Sequence, residues 1–162
     1  MTSVRVLVVD DDPWILRMVS SSLEKKGDFS VETARDGQQA LQKVQVTPPD
    51  LVITDVMMPV MDGWTFVQNL RANPNFAHIP VLFLTALGTD EGQLRKIGIA
   101  KDACISKPFR FDELERRVFQ ALGGKGGGPA QDPNPSNSGA PSYPGQGQGG
   151  QGQPGMPQHG YP

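Results

Sequence analysis

Three consecutive carboxylates, Asp10, Asp11 and Asp12, end an apolar run near the start of the chain. A further aspartate, Asp55, ends a second such run, and Thr85 and Lys107 follow two more. Carboxylates gathered at one site must be neutralised. Hard oxygen ligands at a loop rim suit Mg²⁺, which keeps several waters and binds through one or two carboxylates plus phosphate oxygens; Mn²⁺ is the alternative. An aspartate carboxylate can also attack phosphorus to form an acyl phosphate, provided that a cation, a lysine and a hydroxyl hold the phosphoryl oxygens as charge grows on them. These residue types match phosphoryl transfer onto a carboxylate, with Asp55 as acceptor. Taken singly each is weak: a DDD triplet reads as a helix cap, and a lysine before proline as a surface ion-pair partner. Their joint weight depends on whether one fold brings them to one edge.

Hydrophobic periodicity supplies that fold. Val4 to Val9 reads as a strand. Pro13 to Lys25 reads as a helix with Ile15, Leu16, Val19 and Leu23 apolar, capped by Asp12 and with Pro13 in the first turn, where a missing N–H costs nothing. Strands are then expected at Phe29 to Ala34, Leu51 to Thr54, Val81 to Leu84 and Ala103 to Ile105. Helices are expected at Gly37 to Val46, Gly63 to Ala72 and about Asp112 to Leu122, the last with Leu114, Val118 and Ala121 inward and Glu113, Glu115, Arg116 and Arg117 facing water. Between Glu91 and Lys101 the glycines Gly92 and Gly98 interrupt the helical pattern. Continuous apolar strands alternating with helices imply an α/β domain, a doubly wound parallel sheet covered on both faces. Ligands of such sheets sit at the carboxyl ends of the strands, and Asp10 to Asp12, Asp55, Thr85 and Lys107 all fall at that edge.

The segments VVDDDP, DLVITDVMMPVMDGWTF, FLTA and SKPF resemble the motifs of two-component response-regulator receiver domains, over residue 4 to about 122. Spacings of 44, 30 and 22 residues separate Asp11, Asp55, Thr85 and Lys107, similar to those of that family. The resemblance implies a flavodoxin-like, stand-alone CheY-like fold with strand order 2-1-3-4-5. It makes Asp55 the phosphoacceptor, Asp11 a direct metal ligand, Asp10 a ligand acting largely through water, and the Met57 carbonyl the backbone ligand. Asp12 remains a helix cap. Thr85 resembles the switch hydroxyl, with the Ala86 N–H beside it and Lys107 as the cation; a cis Lys107–Pro108 bond is implied too, and Pro59 and Gly63 look like the turn that shapes the loop after Asp55. Cys104 departs from the family, standing where a ring is usual. It reads as a small buried apolar residue before it reads as a redox sensor.

Composition sets the outer limits. Fifteen Lys and Arg against 17 Asp and Glu give a formal charge of -2, without the basic excess of a dedicated nucleic-acid-binding domain. The sole cysteine excludes an intrachain disulfide framework and fits a reducing compartment. No signal-peptide or membrane-span pattern opens the chain, so a cytoplasmic location is expected and no membrane partner. Residues 123–162 hold 13 of the 19 glycines and 8 of the 15 prolines, with almost no large aliphatic residue. A disordered Gly/Pro/Gln-rich tail is therefore expected after a receiver domain at 1–122. Tyr143, Tyr161 and His159 lie in it, while His78 reads as a solvated loop residue and Trp14 and Trp64 as packing or rim residues.

Two-component response regulation follows: a phosphoryl group taken from a phosphohistidine on a histidine kinase or histidine phosphotransfer protein, and a signal passed on through protein contact. The expected product is a signalling switch that catalyses its own phosphorylation and dephosphorylation, as a monomer or a phosphorylation-dependent dimer. No direct nucleic-acid contact is expected, because the tail has neither helix-turn-helix periodicity nor clustered basic residues. An aspartyl phosphatase would resemble Asp-x-Asp at the nucleophile, whereas Val56 and Met57 follow Asp55. The competing class is a non-switching scaffold on the same fold, localised by its tail.

Overall fold

β-branched and aliphatic runs bury on both faces of a sheet, and the helices between them supply the cover. The computed structural model describes residues 3–86 and 91–123, with the backbone alone at Glu91 and Asp102. Its elements are β1 (Val4–Val9), α1 (Pro13–Glu24), β2 (Phe29–Ala34), α2 (Gly37–Val46), β3 (Leu51–Asp55), α3 (Gly63–Ala72), β4 (Val81–Thr85), α4 (Glu91–Lys96), β5 (Cys104–Ser106) and α5 (Phe111–Ala121). One parallel sheet holds all five strands in the order β2-β1-β3-β4-β5, as expected. Apart from Gly123, the tail expectation falls outside the described residues.

Strand pleat sorts the core into two layers. Val6 and Val8 of β1, Leu51 and Ile53 of β3 and Leu82 and Leu84 of β4 pack with Leu16, Val19 and Leu23 of α1 and Leu114 and Val118 of α5. Leu7, Val9, Val52, Val81 and Phe83 turn to the other side, against Ala40 and Val44 of α2, Phe66, Val67 and Leu70 of α3 and Leu94 of α4. Both faces are sealed, so the open edge of chemistry is the row of strand ends.

Helix starts on that edge are set by aspartates. The Asp12, Asp36 and Asp62 carboxylates accept hydrogen bonds from the N–H groups of Trp14, Gln39 and Thr65 at the starts of α1, α2 and α3, a cap worth about 1 kcal/mol each. The Asp12 cap was expected; the other two come from the structure. The Glu91 to Lys101 pattern resolves into a short α4 closed by Gly98 at φ 68. There the Gly98 N–H donates to the Arg95 carbonyl and Ile99 N–H to that of Leu94, a paired stop that needs a left-handed residue.

The boundaries shift most where chemistry lies. β3 and β4 run on through Asp55 and Thr85, and β5 sits one residue later than expected, because parallel pairing of Asp55 with Leu84 and of Thr85 with Ser106 extends the ladder beyond the apolar run. α5 differs on its polar face. Glu115, expected to face water, is half-buried: it accepts a hydrogen bond from the Ser22 hydroxyl at 2.8 Å and pairs with Lys26 at 2.9 Å. This clasps α5 to α1 beside the Phe29–Phe119 edge contact. Periodicity could not see it, since the partners lie on another helix.

Candidate functional site

Register brings the acids together. Val9 pairs with Thr54 across β1 and β3, so one residue further along the sheet edge Asp10 stands next to Asp55. Carboxylate oxygens of Asp10, Asp11 and Asp55 all lie within 4.8 Å of one another. Asp10 is 1% exposed, Asp55 is buried and Asp11 faces solvent, which makes a pocket closed below and open above. Three hard oxygen donors at this separation suit one small divalent cation. Asp12 takes no part in this trio and caps α1, which resolves the triplet as expected.

Each inner carboxylate is oriented by both oxygens. Asp10 Oδ1 accepts the Asp12 N–H at 2.9 Å and its Oδ2 accepts Lys107 Nζ at 2.7 Å. Asp55 Oδ1 accepts the Val56 N–H at 2.7 Å and its Oδ2 accepts the same Lys107 Nζ at 3.1 Å. The Lys107 N–H donates to the Thr85 carbonyl at 2.9 Å, which fixes the residue beside the end of β4; the Lys107–Pro108 peptide bond is cis. Thr85 is buried at the end of β4, and Ala86 follows it as an exposed bend.

Burial and pairing pull the titrations in opposite senses. Burial raises the Asp10 carboxyl above its ordinary value, more than the Lys107 and Asp12 hydrogen bonds pull it back. Burial alone would lower the Lys107 ammonium, but Asp10 and Asp55 outweigh it and hold it above the usual lysine value. The pair is therefore good for the lysine and still a net cost for the charged Asp10. In the metal-free protein Asp10 thus opposes folding at neutral pH; as pH falls through its raised folded value the native state takes up the proton first, and that cost disappears. Asp10→Asn should raise the stability of metal-free protein at pH 7. The gain should vanish once Asp10 is protonated in both states, which melting curves across the acid range would check.

The loop after Asp55 is shaped by a contact no side chain could make. Gly63 opens α3 with its N–H donated to the Val56 carbonyl at 2.8 Å, and a Cβ on it would lie 2.1 Å from the Asp55 carbonyl oxygen. Pro59 lies within that loop, and the Met57 side chain is exposed beside the pocket. Sequence reasoning missed Val60, the residue after Pro59, whose φ of 67 is unusual for a β-branched side chain. Nothing in its residue type signals it.

His78 falls as read, whereas Cys104, expected to be buried, is not fully so. Trp64 packs against Phe83 with ring centres 4.9 Å apart and planes tilted by 44°, Trp14 is exposed and His78 faces solvent. Cys104 is half-buried against the layer that holds α2 to α4. No described helix is long and apolar enough to cross a membrane.

The family model described as the response regulator receiver domain matches residues 6–119. Response regulator Rre1 of Synechocystis is 42% identical over 119 residues, which cover 74% of this chain and 52% of that protein; the chain thus spans about half of that relative's length. Among solved structures, the chemotaxis response regulator CheY4 of Vibrio cholerae is 34% identical with a TM-score of 0.68, covering 74% of this chain and 99% of that one. The receiver domain of a sensor histidine kinase from Pseudomonas aeruginosa, solved with a magnesium ion coordinated in its active-site cleft, is 27% identical with a TM-score of 0.67, covering 75% and 99%. A shared sheet order, a continuous match over the described domain and relatives of this likeness leave one assignment: the chain belongs to the response regulator receiver domain family.

Proposed function

We propose that this domain is the phosphoryl-accepting switch of a two-component phosphorelay and that Asp55 is its acceptor. One observation carries the reading. Lys107 Nζ bridges Asp10 and Asp55 while the Val56 N–H holds the other Asp55 oxygen, so the nucleophile is oriented before any donor arrives. An Asp55 oxygen attacks the phosphorus of a phosphohistidine, the new O–P bond forms as the P–N bond breaks, and the imidazole leaves with that electron pair. Lys107 then swings from the carboxylate to a phosphoryl oxygen, and the Thr85 hydroxyl and Ala86 N–H donate to the others. Asp10, Asp11, Asp55 and the Met57 carbonyl hold Mg²⁺, with Mn²⁺ as an alternative. When bound, the cation neutralises charge that grows on the phosphoryl oxygens.

The chain divides in this reading into the receiver at 1–122 and a Gly/Pro/Gln-rich tail at 123–162. Its donor is a histidine kinase or histidine phosphotransfer protein, its output is contact with another protein and not with nucleic acid, and its compartment is the cytoplasm. Catalysis is limited to loading and unloading its own aspartate. Cys104 at the position of the usual ring is what speaks for the non-switching scaffold; against it, Asp10 and Asp55 are both already bonded to Lys107. Incubating the pure protein with Mg²⁺ and acetyl phosphate should add one phosphoryl group by intact mass, mapped to the peptide that carries Asp55 and lost on chelation of the metal. A missing adduct, or one mapped elsewhere, overturns the reading.

A further inference from the structure

Val60 is the only non-glycine residue with positive φ among the described residues. The Met61 N–H donates to the Pro59 carbonyl at 2.7 Å, so Val60 is the centre of a three-residue γ-turn of the positive-φ form, the rarer and strained one. Branching at Cβ adds to the crowding. With 77% of its surface exposed, packing of its own side chain does little to offset the strain. A strained turn persists only where its surroundings hold it, and two anchors do so here. On one side Gly63 is bonded to the Val56 carbonyl and pressed against that of Asp55. On the other, the Met61 carbonyl accepts the Gly37 N–H at 3.0 Å, and a Cβ on Gly37 would meet Met61 Cγ at 2.8 Å and its carbonyl oxygen at 2.9 Å.

The turn is strung between the backbone of the acceptor and the first residue of α2. We infer that it is a strained latch which passes a change of charge at Asp55 to the first turn of α2. The inference rests on the acceptor reading. Loading Asp55 alters what its carboxylate asks of the Val56 N–H and displaces the backbone that follows. The Gly63 contact has no slack, so the displacement falls on the strained link: Val60 leaves positive φ, Met61 lets go of Gly37, and the start of α2 loosens. Other ties there are the Asp36 cap on Gln39, the Gln39 side chain on the Arg35 N–H and the Ala40 N–H on the Asp36 carbonyl.

Hydrogen exchange of the full chain with Mg²⁺ and beryllofluoride, set against an Asp55→Asn control, tests this directly, with Trp fluorescence reporting the loading itself. In the wild type the amides of Gly37 to Ala40 should exchange several-fold faster on loading. In Val60→Gly, which removes the strain that drives release, that increase should shrink while the Asp55-dependent fluorescence change persists. Val60→Gly should also melt above Val60→Ala, because alanine keeps the positive-φ penalty and glycine does not. Loading without any change at α2, or an alanine variant as stable as the glycine one, overturns the latch. Absence of any Asp55-dependent response in fluorescence or exchange overturns the acceptor reading and the latch with it.

Discussion

Lys107→Ala is expected to slow phosphoryl uptake at Asp55 by about a hundredfold, the usual cost of removing one charge-stabilising donor from a transfer site. Nζ lies 2.7 Å from Asp10 and 3.1 Å from Asp55, so the truncation also leaves two buried like charges without a cation between them. Stability of the metal-free domain should fall by about 2 to 3 kcal/mol, below the range for a fully buried pair because the lysine retains some exposure to water. Mg²⁺ should return most of that loss, since a divalent ion neutralises the same carboxylates. The rise in Tm on adding MgCl₂ should therefore be larger in the variant than in the wild type. Time courses of acetyl phosphate labelling by intact mass, with melts in the presence and absence of metal, read both effects. An unchanged rate would remove Lys107 from the chemistry, and a Mg²⁺ shift no larger than wild type would remove it from the carboxylate pair.

Gly63→Ala should cost about 3 kcal/mol or more of folding free energy, at the upper end of overpacking effects. The added Cβ would stand 2.1 Å from the Asp55 carbonyl oxygen, 3.0 Å from its carbon and 3.1 Å from Val56 Cα. All three are backbone atoms, and no rotamer change relieves them. Relief requires either that α3 lift from the sheet, exposing Phe66, Val67 and Leu70, which are buried, or that the end of β3 move and take Asp55 with it. Urea unfolding measures the first route; labelling of the surviving folded fraction measures the second, and it should be slower than wild type. A midpoint equal to wild type would show that the loop has freedom this packing denies.

Strand and helix order, and the gathering of Asp10, Asp11, Asp55, Thr85 and Lys107 at one edge, were legible in the sequence. The reason is physical: buried parallel strands and amphipathic helices leave different periods in the chain, and a doubly wound sheet has one edge where its loops can do chemistry. Within the DDD triplet, Pro13 made Asp12 a candidate cap, but the one-residue ambiguity was resolved only by the VVDD register of the family resemblance.

Contacts between elements distant in the chain left no such trace. Glu115 looked like a solvated position because its period on α5 faces outward, and only the placement of α1 brings Ser22 and Lys26 to it. The γ-turn at Val60 was equally silent, since valine is a poor choice for positive φ and its conformation is imposed from both sides by Gly63 and Gly37.

Asp55 shows the division most directly. Its type and spacing already named it as the candidate acceptor. Only the folded chain decided that Lys107 spans its carboxylate and that of Asp10, and that Gly63 lies against its backbone. Local sequence specifies which groups are present and which element carries them; distances of a few ångströms between strand ends are fixed by register and packing, which involve the whole domain at once.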